Sequence, residues 1–199
     1  MAIGIVIFFI FLIAFYRKKN TRAQDEVNAQ FWARENEANA VRRQDISGLP
    51  YISIPFDNFP LNICENSKLQ ECENTLCALS EKKILNLAHK SNTDLKLEYG
   101  AANLAFLTEC DENFTTLCCT LADYGEELLS LGYVDEARTV LEFGISCGSD
   151  VSKNYLLLAD IYRQTGDDAA YHALVCRAEL LDSPMKSSIL QRLEADAPA

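Results

Sequence analysis

Apolar residues recur every three or four positions from Asn66 to the end of the chain, which is the spacing of one face of an α-helix. This pattern predicts a first helix along Leu69–Leu87, a second over Leu95–Leu107, and a third that opens at Asp111–Asn113 and runs to Leu131. Further helices are predicted over residues 134–147, 152–164 and 168–181, and a short last helix follows Pro184. The body of the chain is therefore predicted to be all-α.

The C-terminal third repeats itself with a period of 34 residues. Shifted by this period, Gly125 falls on Ala159 and Gly132 falls on Gly166, so small residues meet small residues. Such a recurrence is expected of stacked helix–turn–helix units that approach closely at fixed points. Other positions also keep their size class, in the pairs Leu121/Tyr155, Leu128/Tyr162, Leu141/Val175 and Gly144/Ala178.

Residues 118–185 resemble tetratricopeptide repeats, whose pattern is a large residue, Leu-Gly and Tyr on the first helix and Ala, an aromatic residue and Ala on the second. Three features depart from the family pattern: no Trp occurs at the opening position of either repeat, Tyr171 stands where Ala is usual, and Ser149 stands where Pro is common. The resemblance implies stacked antiparallel helix pairs, a TPR-like α-solenoid. The matching residues are Leu121, Tyr124-Gly125, Leu128, Ala137, Leu141 and Gly144 in the first unit, and Tyr155, Leu158-Ala159, Tyr162, Val175 and Ala178 in the second.

In this family the first helices of successive units form a concave binding surface, so the resemblance implies such a groove here. Acidic residues of the repeat region are candidates to line it: Asp123, Glu126, Glu127 and Asp160. The residues predicted to bind a partner in the groove are Tyr124, Leu128, Tyr155, Leu158 and Tyr162.

An uninterrupted apolar run, Ala2–Tyr16, precedes the basic residues Arg17, Lys18 and Lys19. At about 1.5 Å per residue the run reaches roughly 22 Å, which is short of a hydrocarbon core of about 30 Å. Local thinning of the bilayer and snorkelling of Arg17 and Lys18 are expected to make up much of the difference. A cleaved signal peptide would carry positive charge before the run and small residues after it, and neither is present. Residues 1–18 are therefore predicted to be a transmembrane anchor. The positive-inside rule places the N-terminus outside and the helical domain in the cytoplasm.

Between the anchor and the helical domain, residues 19–47 are polar, contain no Gly or Pro, and favour a juxtamembrane helix. Phe31 and Trp32 leave open whether this helix is only charged, self-associates, or lies on the lipid surface. Residues 48–65 contain three prolines and are predicted to be an extended strap, either packed on the helical domain or occupying its groove. The helical domain is predicted to span residues 66–199.

Charge divides the chain and limits its partners. The net charge is −11, but residues 1–22 hold four basic and no acidic residues, so the rest carries −15. A body this acidic is repelled by nucleic acid and anionic lipid. The predicted partner is therefore a neutral or basic protein or peptide, and no nucleic acid is expected.

Candidate chemistry is sparse. His172 and Cys176 lie four apart on a predicted helix, but a metal site would need two further ligands. Cys118-Cys119 is a vicinal pair whose reactivity would need a lowered pKa, and eight cysteines in a reducing compartment are expected mainly as core residues. No cofactor or metal is predicted. The polar stretch Ser91–Gly100 is either a capping turn with a glycine for close contact, or a recognition loop built on Asn92, Asp94 and Lys96.

These observations predict a non-enzymatic protein, a membrane-tethered cytosolic adaptor or scaffold that binds a partner through a TPR-like groove. One alternative is a structural subunit of a membrane complex that works through the anchor and juxtamembrane helix. The other alternative is a thiol- or metal-dependent enzyme.

Overall fold

The computed structural model describes residues 24–195. The predicted anchor, residues 1–18, and the basic residues that follow it lie outside the described residues. The part of the chain that is described is all-helical and contains no strand. None of its helices combines the length and the apolar character needed to cross a membrane.

Within residues 24–195 there are eight α-helices and two short 3-10 helices. The 3-10 helices span Phe56–Asn58 and Ala101–Asn103. The α-helices are α1 (24–40), α2 (Ser67–Ser80), α3 (Asn92–Tyr99), α4 (Leu104–Ser130), α5 (Val134–Ser146), α6 (Ser152–Thr165), α7 (Asp168–Glu179) and α8 (Lys186–Ala195).

The chain forms two compact units. The first combines the described residues up to Ile46 with Lys90–Leu104. The second combines Ser47–His89 with the chain from Ala105 onward. Residues 90–104 were predicted to belong to the helical domain, but they group with α1 in the first unit.

In the first unit, α3 begins with a capping box. The Ser91 hydroxyl accepts from the Asp94 amide, and the Asp94 carboxylate accepts from the Ser91 amide. Asp94 also pairs with Arg34 of α1, and Lys96 pairs with Glu35 of α1. The capping interpretation is confirmed, and two of the three residues considered for a recognition loop, Asp94 and Lys96, pair with residues of α1.

The helix predicted over residues 19–47 ends earlier than predicted, at residue 40, and residues 41–46 have no regular secondary structure. This segment lies against the end of α3, where the Gln44 amide donates to the Tyr99 carbonyl at 3.0 Å. The Asn103 side chain donates to the Gln44 carbonyl at 2.9 Å and to the Tyr99 carbonyl at 2.8 Å. These long-range hydrogen bonds outweigh the local helix propensity of residues 41–46.

The predicted break at residues 108–113 is wrong, because α4 runs without interruption from Leu104 to Ser130. The residues that were predicted to start a helix form hydrogen bonds with backbone groups of the segment between α2 and α3. Asp111 accepts from the Leu87 amide at 2.9 Å, and the Asn113 side chain donates to the Lys83 carbonyl at 3.1 Å. For the same reason α2 ends at Ser80, and the chain that follows is irregular although Ile84 and Leu87 are buried.

The strap packs on the helices of the second unit, as one of the two alternatives predicted. The Ile52 amide donates to the Ile84 carbonyl at 2.9 Å, and the Phe59 ring meets Phe143 of α5 edge-on at 5.4 Å. Phe59 is buried in the main hydrophobic core, which draws on α2, α4, α5, α6, α7 and α8. The strap is therefore a structural part of the second unit.

Candidate functional site

The five residues predicted to bind a partner are all buried. Tyr124 and Leu128 on α4, and Tyr155, Leu158 and Tyr162 on α6, are between 0 and 5 % exposed and belong to one hydrophobic core. Side chains with so little exposure offer no contact surface in this conformation. They are part of the hydrophobic core that lies beneath the surface of the second unit.

Two of these tyrosines are also fixed by hydrogen bonds of their hydroxyl groups. The Tyr124 hydroxyl donates to the Pro60 carbonyl of the strap at 2.7 Å and lies 2.9 Å from the buried Glu73 carboxylate. Burial, followed by the bond to Glu73, raises the pKa of Tyr124. The Tyr162 hydroxyl donates to Glu142 of α5 at 2.8 Å, so both tyrosines tie neighbouring segments together.

An open acidic groove lies between α2 and α4 and encloses about 380 Å³. Three of the four acidic residues predicted to line a groove, Asp123, Glu126 and Glu127, line this one. The structure thus brings the predicted acidic residues to a groove, while the predicted apolar residues lie beneath the surface. The helix α2 contributes the opposite wall, with Lys68, Glu71, Cys72 and Thr75.

Asn66 holds the two walls of the groove in register. Its side-chain oxygen accepts from the amides of Lys68 and Leu69 at 2.8 and 3.1 Å, which caps the start of α2. Its side-chain nitrogen donates to Glu127 of α4 at 2.9 Å. One residue therefore fixes both the start of α2 and its distance from α4.

Two lysines of the chain already bind carboxylates of the groove. Lys68 lies 3.1 Å from Glu127, and Lys153 of α6 lies 2.9 Å from Asp123 and 2.7 Å from Glu126. The hydrogen bonds to Glu126 and Asp123 raise the pKa of the Lys153 ammonium group. Four carboxylates and two ammonium groups leave two net negative charges, and Glu71 has no side-chain partner within residues 24–195.

Cys72 reports the electrostatic character of the groove. The pKa of its thiol is raised to about 11, first by burial and then by the negative charges of Asp123, Glu71, Glu127 and Glu73. A groove that disfavours a thiolate in this way favours cations. Its thiol is correspondingly poor as a nucleophile at neutral pH.

We expect Cys72 to react slowly with methanethiosulfonate reagents and to prefer a cationic reagent over an anionic one. At pH 8, a thiol of pKa about 11 is ionised about a hundredfold less than one at the ordinary value of 9.0. The exposed Cys77 on the same helix is the matched control. Modification rates in Cys77→Ser and Cys72→Ser variants, measured by mass spectrometry, test this. Equal cation preference at both positions would contradict an acidic groove.

The other candidate groups do not form a reactive centre in the described part of the chain. Burial raises the pKa of Cys118 to about 12 and also raises that of Cys119, so neither thiol is activated. His172 and Cys176 are exposed on α7. Within residues 24–195, no group of three or more His, Cys, Asp or Glu residues is placed to hold a metal ion.

The sequence missed the contribution of α2 to the groove. Its polar residues at 68, 71 and 75 lie on one helical face, and this spacing is the only signal that was available.

Comparison of the chain with protein-family models, with curated proteins and with solved structures gives no match.

Proposed function

We propose that this protein is a membrane-tethered adaptor whose second unit is a TPR-like helical stack and whose α2–α4 groove binds a basic segment of a partner protein. The observation that carries the proposal is that carboxylates of the groove already bind two ammonium groups, those of Lys68 and Lys153. Pairs of this kind at a surface are weak, so incoming lysines or arginines can displace them at little cost. The function proposed is binding, with no catalytic step.

Contacts at equivalent positions of the two 34-residue repeats support a TPR-like stack. A Cβ atom on Gly125 of α4 would lie 2.6 Å from Leu141 of α5, so the two helices approach as closely as the family pattern requires. The equivalent Ala159 is 2 % exposed, and Ala178 is fully buried. The packing order, α5 on α6, α6 on α7, and α8 on both α6 and α7, is that of a continuous stack.

Two of the three departures from the family pattern, Tyr171 and Ser149, make hydrogen bonds at their positions. The Tyr171 hydroxyl, at a position usually occupied by Ala, donates to the Leu193 carbonyl of α8 at 2.6 Å. Ser149, at a position commonly occupied by Pro, accepts from the Val151 amide at 3.2 Å and from Asn154 at 2.9 Å at the start of α6.

The membrane tether rests on the apolar run and the basic residues of the first 22 positions. A tether at the cytoplasmic face would raise the effective concentration of the groove for partners at the same membrane. It would also explain how a groove with only two net negative charges is sufficient. Affinity for a single peptide is accordingly expected to be low and salt-dependent.

Binding of a fluorescent octapeptide of alternating Lys and Ala to the full chain in detergent tests the groove. We expect the variant Glu71→Gln/Asp123→Asn/Glu126→Gln to bind the peptide about tenfold more weakly. Each exposed ion pair is worth about 0.2–1 kcal/mol, and three together give an effect of this size. Fluorescence anisotropy at two salt concentrations measures the affinity and its electrostatic part.

The matched control removes the same three charges elsewhere, in the exposed residues Glu109→Gln, Glu179→Gln and Asp182→Asn. It should leave the affinity within twofold of the native value. Equal loss in both variants would mean that the peptide senses only net charge, and the groove would then not be the binding site.

One observation favours the alternative of a structural subunit. Val27, Phe31 and Trp32 of α1 are 59, 54 and 61 % exposed, which is unusual for large apolar residues on an acidic helix. Proximity labelling in cells discriminates between the two functions. Neighbours that vanish with the groove variant support the adaptor, whereas neighbours that vanish only on loss of residues 1–18 or on Phe31→Ser/Trp32→Ser support the structural subunit.

A further inference from the structure

A second cavity, of about 270 Å³, lies between α5, α6 and α7. The helices α5 and α7 form its walls and α6 forms its floor. Leu158 of α6, Leu174 of α7 and Ile145 of α5 line it with apolar surface, although each is less than 9 % exposed. The cavity is too small for a typical cofactor or drug-sized ligand, and its size suits one or two aliphatic side chains.

The wall formed by α5 carries one positive and one negative side chain, Arg138 and Glu142, which pair with each other. The Arg138 guanidinium lies over the Tyr162 ring at 5.0 Å and donates to Glu142 at 2.7 Å. Glu142 also accepts from the Tyr162 hydroxyl at 2.8 Å, and Arg138 donates to Asp167 at 3.3 Å. Both charges on this wall are therefore already satisfied.

The wall formed by α7 differs, because Arg177 lines the cavity and is exposed. Its side chain has no hydrogen-bond or ion-pair partner within residues 24–195. Arg138, Glu142 and Arg177 are the charged residues that line the cavity, and Arg177 is the one of the three that has no such partner in the described part of the chain and can pair with a carboxylate.

Small side chains on α7 leave the apolar space open. Ala170 and Ala173 line the cavity, and Ala173 is exposed at its mouth. A larger residue at position 173 would close the mouth without entering the core. The cavity therefore combines an apolar floor, an open mouth and one unpaired guanidinium.

We propose that the α5–α7 cavity binds a short acidic segment of a partner protein, with an aliphatic side chain in the cavity and a carboxylate on Arg177. Charge complementarity selects this occupant, since a basic segment would meet Arg177 and find Glu142 already neutralised. The inference is independent of the α2–α4 groove, which takes basic segments. With both sites the second unit would connect two partners of opposite charge.

The test uses the full chain in detergent and a fluorescent octapeptide of alternating Glu and Leu, with a Gln/Leu octapeptide for comparison. We expect saturable binding of the acidic peptide, at least tenfold tighter than that of the neutral one. Arg177→Gln should weaken binding of the acidic peptide at least fivefold, and Ala173→Trp should remove it.

Two control variants change the same residue types outside the cavity. Arg192→Gln on α8 and His172→Trp, on another face of α7, are both at exposed positions and should leave the affinity unchanged. Thermal unfolding checks that each variant is folded, and Arg177→Gln alone decides if Ala173→Trp is not. Absence of saturable binding, equal affinity for both peptides, or equal loss in the controls would overturn the proposal.

Discussion

Replacing Gly100 by alanine is expected to open the first unit at the junction of α3 with residues 41–46. Gly100 ends α3 with φ +86° and ψ 144°, a backbone conformation that is nearly restricted to glycine. A Cβ atom there would lie 2.5 Å from the Arg42 carbonyl oxygen and 2.9 Å from the Arg43 Cα. Backbone atoms cannot turn aside, so the clash adds to a conformational cost of about 1–3 kcal/mol.

Two other glycines separate these contributions. Gly132 and Gly166 also have positive φ, +87° and +70°, but a Cβ atom at either would meet nothing within 4 Å. Their alanine variants carry only the conformational cost. Gly166 has ψ 25°, in the left-handed helical region, whereas Gly100 has ψ 144°, where alanine is more strained. The excess loss of stability in Gly100→Ala over Gly132→Ala and Gly166→Ala is therefore an upper bound on the cost of the contact with residues 42 and 43.

Hydrogen exchange shows which part of the chain loses stability in Gly100→Ala. The Gln44 amide, which donates to Tyr99, should lose protection in Gly100→Ala, whereas amides of α6 and α7 should keep theirs. Retained protection of the Gln44 amide would contradict the contact. A matching decrease in both units would mean that the variant unfolds the whole chain and that the junction is not a local feature.

Local signals predicted the helices after residue 130 well. The turns there follow from glycines with positive φ two residues after the end of a helix, Gly132 after α4 and Gly148 after α5, and from the Asp167 cap of α7, which accepts from the Ala170 amide at 3.0 Å. A glycine turn or a helix cap affects only the few residues around it. A sequence window therefore contains all the information that is needed.

Between residues 81 and 113 the local signals misled the prediction. Asp111 and Asn113 are good capping residues, so the local sequence predicts that a helix starts there. In the fold they serve the backbone of Leu87 and Lys83, more than twenty residues away along the chain. Long-range hydrogen bonds of this kind leave no periodic trace in the sequence.

The repeat itself explains why the predicted site residues are buried. Positions such as Tyr124, Tyr155 and Leu158 recur because stacked helices must pack closely there, and close packing buries them. Residues that contact a partner face solvent and need not recur within the chain. A 34-residue period therefore identifies the core, and the acidic surface beside it was found only through charge.

The closest helix contact in the second unit makes a quantitative prediction about this core. Gly125→Leu is expected to lower the free energy of unfolding by about 1–3 kcal/mol through overpacking. An ideal Cβ atom on Gly125 would already lie 2.6 Å from the Cγ and Cδ2 atoms of Leu141, which is fully buried and has little space to move. Gly48→Leu is the control, since a Cβ atom on Gly48 meets nothing within 4 Å.

A double-mutant cycle tests the contact more sharply, because it predicts a change of sign. Gly125→Ala should destabilise the native chain, since the clash exceeds the helix-propensity gain of about 0.5–1 kcal/mol. In a Leu141→Ala background the clash is absent, and the added methyl group fills part of the cavity left by the leucine. Gly125→Ala should then stabilise the protein, with a coupling energy of about 0.5–3 kcal/mol. If its effect is the same in both backgrounds, Gly125 and Leu141 do not meet, and the helix register on which the proposed TPR-like stack depends is incorrect.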